Sequence, residues 1–147
     1  MKCPNCDGEL NDEKQGNIIV KRCDKCFGIW LTYPELQEVE DTVWSDEKLK
    51  GTLEFNQKPG TLKCPECGSQ MVKFEYRYSD LQLDACPNMH GFWLDNGEEE
   101  RIREIMRKDK SDFERKIEAE NDWSKLLDHL HSPTFMDRVK YFLNSSK

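Results

Sequence analysis

Cys3-Pro4-Asn5-Cys6, followed after sixteen residues by Cys23-Asp24-Lys25-Cys26, is the stretch on which the fold turns. Each C-x2-C pair presents two thiolates from one tight turn. Two such turns brought together by a hairpin complete the four nitrogen or sulfur ligands of a structural zinc ion. The spacing therefore predicts a zinc site built from Cys3, Cys6, Cys23 and Cys26.

The chain then repeats itself. At an offset of 61 to 63 residues Cys3 falls on Cys64, Cys6 on Cys67, Cys23 on Cys86 and Trp30 on Trp93. The matches extend to the surrounding proline, glycine and leucine, as expected of a tandem duplication. Where Cys26 falls, the second copy has Met89, and a thioether is a poor Zn2+ ligand. His90 comes next, and its longer side chain can reach the shell from one position further along. Seven cysteines and His90 then make two complete tetrahedra with no cysteine left over. The competing reading leaves a three-cysteine site, with His90 as a packing residue. Closed four-ligand sites have no position for water or substrate, so the zinc is expected to be structural, two ions per chain. Such a site contributes an apparent folding energy of order 10–16 kcal/mol in small zinc peptides.

Composition explains why metal is needed. Only 36 % of the 147 residues are hydrophobic and 35 % are charged, which is lean for one large core. An odd cysteine count argues against a disulfide framework. So does the start Met1-Lys2-Cys3-Pro4, which has no apolar signal segment, and a reducing cytoplasmic location is expected. No apolar run approaches the roughly 18–20 residues of a membrane span. Net charge is −7, which disfavours a general nucleic-acid coat. Residues 1–32 are balanced at five acids and five bases, so the first repeat is the surface least hostile to a polyanion.

The expected architecture is a small, zinc-stabilised α+β protein. Residues 1–44 form the first zinc ribbon with its helix, 45–60 a polar linker ending in Lys58-Pro59-Gly60, 61–96 the second ribbon, and 97–147 a helical extension. In the first ribbon Ile18–Arg22 reads as a strand after a turn at Gly16-Asn17. In the second, Val72, Phe74, Tyr76 and Tyr78 alternate with polar residues up to a turn at Ser79-Asp80, and Leu81, Leu83 and Ala85 alternate on the return. Thr32 with Glu35, and Asp95 with Glu98, have the offset of a capping box. Residues 97–131 read as a long helix, with i, i+4 pairs Glu99/Arg103, Glu104/Lys108 and Asp112/Lys116. Its apolar residues thin out toward a break near Asp109 or Asn121. Ser132-Pro133 stops it, and Thr134–Leu143 makes a last amphipathic helix.

At these residues the chain resembles the zinc ribbons named after the N-terminal ribbon of transcription factor IIB. Their pattern runs C-P-x-C-x-G-x-L, a hairpin, C-P-x-C-x-G-x-W-L-D and a glutamate-rich helix. Residues 3–39 and 64–104 look like two copies. Asp24, Thr32 and Met89 depart from it, replacing a proline, an aspartate and the fourth cysteine. The resemblance implies the fold and the metal rather than an activity.

Trp30 and Trp93 could stack on bases, but their equivalence in both repeats favours packing of strand against helix. Lys2, Lys21, Arg22 and Lys25 could touch phosphates, although five acids interleave with them. Glu98-Glu99-Glu100 is explained by the positive end of a helix dipole without invoking catalysis. His129 and His131 read as surface residues. Phe135, Met136, Val139 and Phe142 form an apolar face open to three uses: docking on the ribbons, a dimer or partner interface, or membrane attachment, the last being weakest. The function expected is a non-enzymatic adapter contacting protein partners or itself. The alternative is a nucleic-acid or transcription-machinery binder.

Overall fold

The computed structural model describes residues 1–45 and 54–145. Its elements in chain order are β1 (Leu10–Gln15), β2 (Ile18–Cys23), β3 (Ile29–Leu31), α1 (Tyr33–Asp41), β4 (Glu54–Lys63), β5 (Gln70–Tyr76), β6 (Gln82–Ala85), β7 (Phe92–Leu94), α2 (Glu98–Leu130) and α3 (Pro133–Ser145). The small α+β class holds. Residues 1–108 and 109–147 form two units.

In the first unit the two repeats share one sheet. All seven strands pair antiparallel in the order β1-β2-β3-β7-β6-β5-β4. The junction is β3 against β7, with Ile29 opposite Leu94, Trp30 opposite Trp93 and Leu31 opposite Phe92. Since Ile29 corresponds to Phe92 and Leu31 to Leu94 in the repeat, this register has a local two-fold axis at the tryptophans. All six side chains are buried, so these short strands need apolar residues on both faces.

Alternation along a strand sends neighbours to opposite faces. On one face Phe92 meets Tyr33 at 4.4 Å and Phe74 at 5.9 Å between ring centroids. Leu36 and Val39 of α1 and Ile102 and Met106 of α2 are also buried. On the other face Trp30 and Trp93 join Cys3, Cys23, Cys64, Cys86, Leu10 and Met71 in one cluster. The tryptophans thus pack beside the cysteines of both repeats, opposite the helices they were expected to support. The alternation of side chains decides this, because Ile29 and Leu31 already occupy the helix side.

Several polar contacts cross between the repeats. Trp30 Nε1 donates to Glu66 Oε1 at 2.9 Å, and the buried Tyr76 hydroxyl donates to the buried Glu40 carboxylate at 2.5 Å. Arg22 bonds Glu13 at 2.7 Å and lies 3.8 Å from Glu99.

The structure corrects other expectations. Residues 54–60, expected as linker, belong to edge strand β4, where Pro59 and two register shifts blunt the exposed edge. The rest of that linker, residues 46–53, lies outside the described residues. Around α1 the capping box at Thr32 and Glu35 is present. Before α2 only half of it forms. Glu98 accepts the Asp95 N–H at 2.8 Å, but the Asp95 carboxylate is taken by Trp93 Nε1 at 2.9 Å. The helix starts two residues later than α1 does relative to its cap, after Gly97 at φ +92°, a conformation glycine tolerates. No break occurs at Asp109 or Asn121, since α2 runs unbroken to Leu130. Glu99 pairs with Arg103 at 2.5 Å, whereas Asp112 pairs with Arg115 rather than Lys116. No Glu104–Lys108 pair forms among the described residues.

The junction yields a stability test. A Cβ on Gly28 would collide with the Trp93 ring, and one on Gly91 with the Leu31 carbonyl and the Trp30 ring. Gly28→Ala and Gly91→Ala should each destabilise the fold by about 1–3 kcal/mol, read from the denaturant midpoint. Unchanged midpoints would contradict this packing.

A second test concerns pH. Burial pushes the Glu98 carboxyl up to about 7, with neighbouring Asp95 and Asp84 adding to the rise. The folded state then holds this proton more tightly than the unfolded chain does. Its contribution is full below the ordinary carboxylate range and lost as pH rises through about 7. Between pH 5 and pH 8, stability should therefore rise in Glu98→Gln relative to the parent; a constant difference across that range would refute it.

Candidate metal centres

Each of the four cysteine turns is closed by the same backbone bond, five residues long. Cys3 N–H donates to Gly8 O, Cys23 to Gly28, Cys64 to Ser69 and Cys86 to Gly91, at 2.8 to 2.9 Å. Inside each turn the N–H two residues after the first cysteine points back at its sulfur. Asn5 to Cys3, Lys25 to Cys23, Glu66 to Cys64 and Asn88 to Cys86 all measure 3.4 Å. These donors stabilise thiolate charge.

β2 carries the second turn of site one against the first, and β6 does the same for site two. The donor atoms of Cys3, Cys6, Cys23 and Cys26 all lie within 4.8 Å of one another, as do those of Cys64, Cys67, Cys86 and His90. Adjacent sulfurs stand 3.5 to 3.6 Å apart, Cys3 to Cys26, Cys6 to Cys23 and Cys67 to Cys86. His90 Nδ1 is 3.5 Å from Cys86 Sγ and 3.8 Å from Cys64 Sγ. A zinc–sulfur bond of about 2.3 Å gives a tetrahedral edge of about 3.8 Å, so both donor sets fit that ion.

The displaced fourth ligand has a backbone cause. The last turns of both sites are equally long, Cys23 to Gly28 and Cys86 to Gly91, yet the ligand is third after the first cysteine in one and fourth in the other. In site one the left-handed residue follows the ligand, Phe27 at φ 60°. In site two it precedes the ligand, Met89 at φ 65°, which leaves the Met89 side chain in solvent and turns His90 inward. The same conformation is used one step earlier.

The thiols differ in their surroundings. Burial pushes the Cys64 thiol up to about 12 and raises Cys3 further still. Burial also opposes ionisation of Cys23, but N–H donors from Cys26 and Lys25 outweigh it and bring that thiol to about 7. Exposed Cys67 is pulled down to about 5 by bonds from Ser69 and the Asn88 side chain, whose Nδ2 lies 3.4 Å from its sulfur. A doubly charged ion deprotonates all of them, and acid competes with it for the same sulfurs. Asn88 and Ser69 were not singled out from sequence. Lys25 stands where Asn88 would be in the first repeat, so the duplication gives no signal for them.

The remaining candidates go to other tasks. Lys2 pairs with Glu9 at 2.5 Å and Lys21 with Asp12 at 2.7 Å, while Lys25 Nζ reaches the Asp7 carbonyl at 3.5 Å. Glu100 bonds Arg107 at 2.9 Å. His129 lies against the Phe135 ring at 5.7 Å, and the His131 ring meets the Leu127 carbonyl at 2.7 Å. No described helix is long and apolar enough to cross a membrane.

Elemental analysis should find two zinc ions per chain. His90→Ala should lower this to about one after a mild chelator challenge, with the four-cysteine site retained. Unchanged stoichiometry and affinity would remove His90 from the ligand set.

No curated protein matches the chain, and no solved structure does. The family described as "Transcription factor zinc-finger" matches residues 2–41 and 63–105, more than half of the chain and both metal sites. With its duplicated four-ligand turns and its two structural zinc ions, the chain belongs to the transcription factor zinc-finger family.

Proposed function

We propose that this protein is a non-enzymatic adapter of the reducing cytoplasm. Its zinc ions build a rigid sheet, and its helices contact a protein partner or a second copy of the chain. The observation that carries this reading is the second unit. Between residues 109 and 145 no side chain is buried, while Trp123, Leu126, Met136, Phe142 and Leu143 are exposed. Isolated helices are marginal in water, and helices in proteins draw most of their stability from packing an apolar face. A unit with this much exposed apolar surface and no core of its own is suited to acquiring one on binding.

The metal sites support a scaffolding role, because four protein donors converge on each and leave no open position for substrate. The surface charge weighs against the nucleic-acid alternative. Of the four basic residues near the first turns, Lys2, Lys21 and Arg22 are paired with acids in the same sheet. A phosphate would have to displace those carboxylates.

Binding to single- and double-stranded DNA and RNA at low and moderate salt tests the reading. Little binding is expected. Tight binding that weakens steeply with salt, and is lost in Lys21→Ala and Arg22→Ala, would replace the adapter by the nucleic-acid reading.

A further inference from the structure

Within the second unit, α2 carries a seam of side chains spaced as in a coiled coil. Phe113, Lys116, Glu120, Trp123 and Leu127 follow one another at steps of three, four, three and four. Ile117 and Ala119 flank this seam. Trp123 is 61 % exposed, and Ile117 and Leu127 are also exposed. Two charges interrupt the seam at its middle, Lys116 and Glu120. They stand one helical turn apart and both are exposed. Among the described residues neither side chain has an ion-pair or hydrogen-bond partner, and the nearby acid Asp112 is taken by Arg115.

We propose that this seam docks a second copy of the chain, the two α2 helices running antiparallel about an axis near Glu118. The proposal rests on the adapter reading and names its partner. Charge decides both occupant and direction. In the antiparallel alignment Lys116 faces Glu120 of the second copy, and Glu120 faces its Lys116. Both ion pairs form at once, and each copy supplies what the other lacks. In the next layer on either side Trp123 covers Phe113 of the second copy. Ile117 and Ala119 meet their own counterparts beside the axis. A parallel, in-register pair would instead stack Lys116 on Lys116 and Glu120 on Glu120, which like-charge repulsion opposes. Single polar residues at seam positions are a known means of fixing register and orientation in coiled coils.

The test is sedimentation equilibrium of the full zinc-loaded chain across the micromolar range. The parent should form dimers. Lys116→Glu and Glu120→Lys should each weaken dimerisation by about tenfold or more, because each leaves only like charges in both central layers. The double variant Lys116→Glu/Glu120→Lys should return to within about threefold of the parent, since it restores both pairs with signs exchanged. Two zinc ions per chain in every variant establishes that the first unit is folded. A parent that stays monomeric to about 100 µM overturns the proposal. So does a dimer indifferent to the single changes, which is the behaviour of a parallel pair or of another surface, and so does a double variant that fails to recover. A monomeric parent leaves the adapter reading standing, because that reading falls only to the nucleic-acid result.

Discussion

The antiparallel pairing of Ile29-Trp30-Leu31 with Phe92-Trp93-Leu94 ties the folded unit together. These strands are only three residues long, and strands so short contribute few backbone bonds. They hold because each side chain is buried on one face or the other. The tryptophans close the space between the two cysteine clusters, and the residues beside them meet α1 and the Phe74–Phe92 contact. Gly28 and Gly91 leave room for the ring that crosses from the other repeat. Neither zinc site has a separate core to stand on, and an indole pair shared across the junction serves both.

What the sequence made legible follows from what local spacing can encode. Cysteine pairs at fixed separation declare a turn and a ligand set without reference to anything distant, so the eight ligands could be named. Even the irregular fourth ligand was readable, since the repeat marked Met89 as the gap and left His90 beside it. The backbone device was hidden, because a left-handed residue at Met89 rather than at His90 has no compositional mark. Pairing between repeats was hidden too. Nothing in a three-residue apolar run says which strand it will lie against, so the sequence alone points the tryptophans toward the following helix rather than toward each other. Asp95 misled in a similar way. Its offset from Glu98 is that of a cap, but Trp93 two residues earlier claims its carboxylate.

Electrostatics in this molecule is mostly internal. Lys2, Lys21 and Arg22 are paired locally with Glu9, Asp12 and Glu13, and α2 opens with Glu99 and Glu100 bonded to Arg103 and Arg107. Individually such exposed pairs contribute little, on the order of 0–1 kcal/mol. Together they occupy Lys2, Lys21 and Arg22, positive groups near the first turns that a polyanion would otherwise meet. Lys116 and Glu120 lie beyond these pairs, one turn apart on α2 and without an ion-pair partner among the described residues.

The local two-fold axis at Trp30 and Trp93 has a bearing on how such a chain came to be. A single repeat standing alone would end its sheet on an open edge of isoleucine, tryptophan and leucine, an invitation to pair with another chain. Two separate copies joined along that edge would form a closed, isologous dimer. Fusing them in tandem turns a concentration-dependent encounter into an intramolecular one, at an effective concentration in the millimolar range for a short connection. Duplication in this chain thus resembles a homodimer made permanent by its own linker. Halves that cannot separate need not stay identical, and here the two sites differ in their fourth ligand, Cys26 in one and His90, one position further along, in the other.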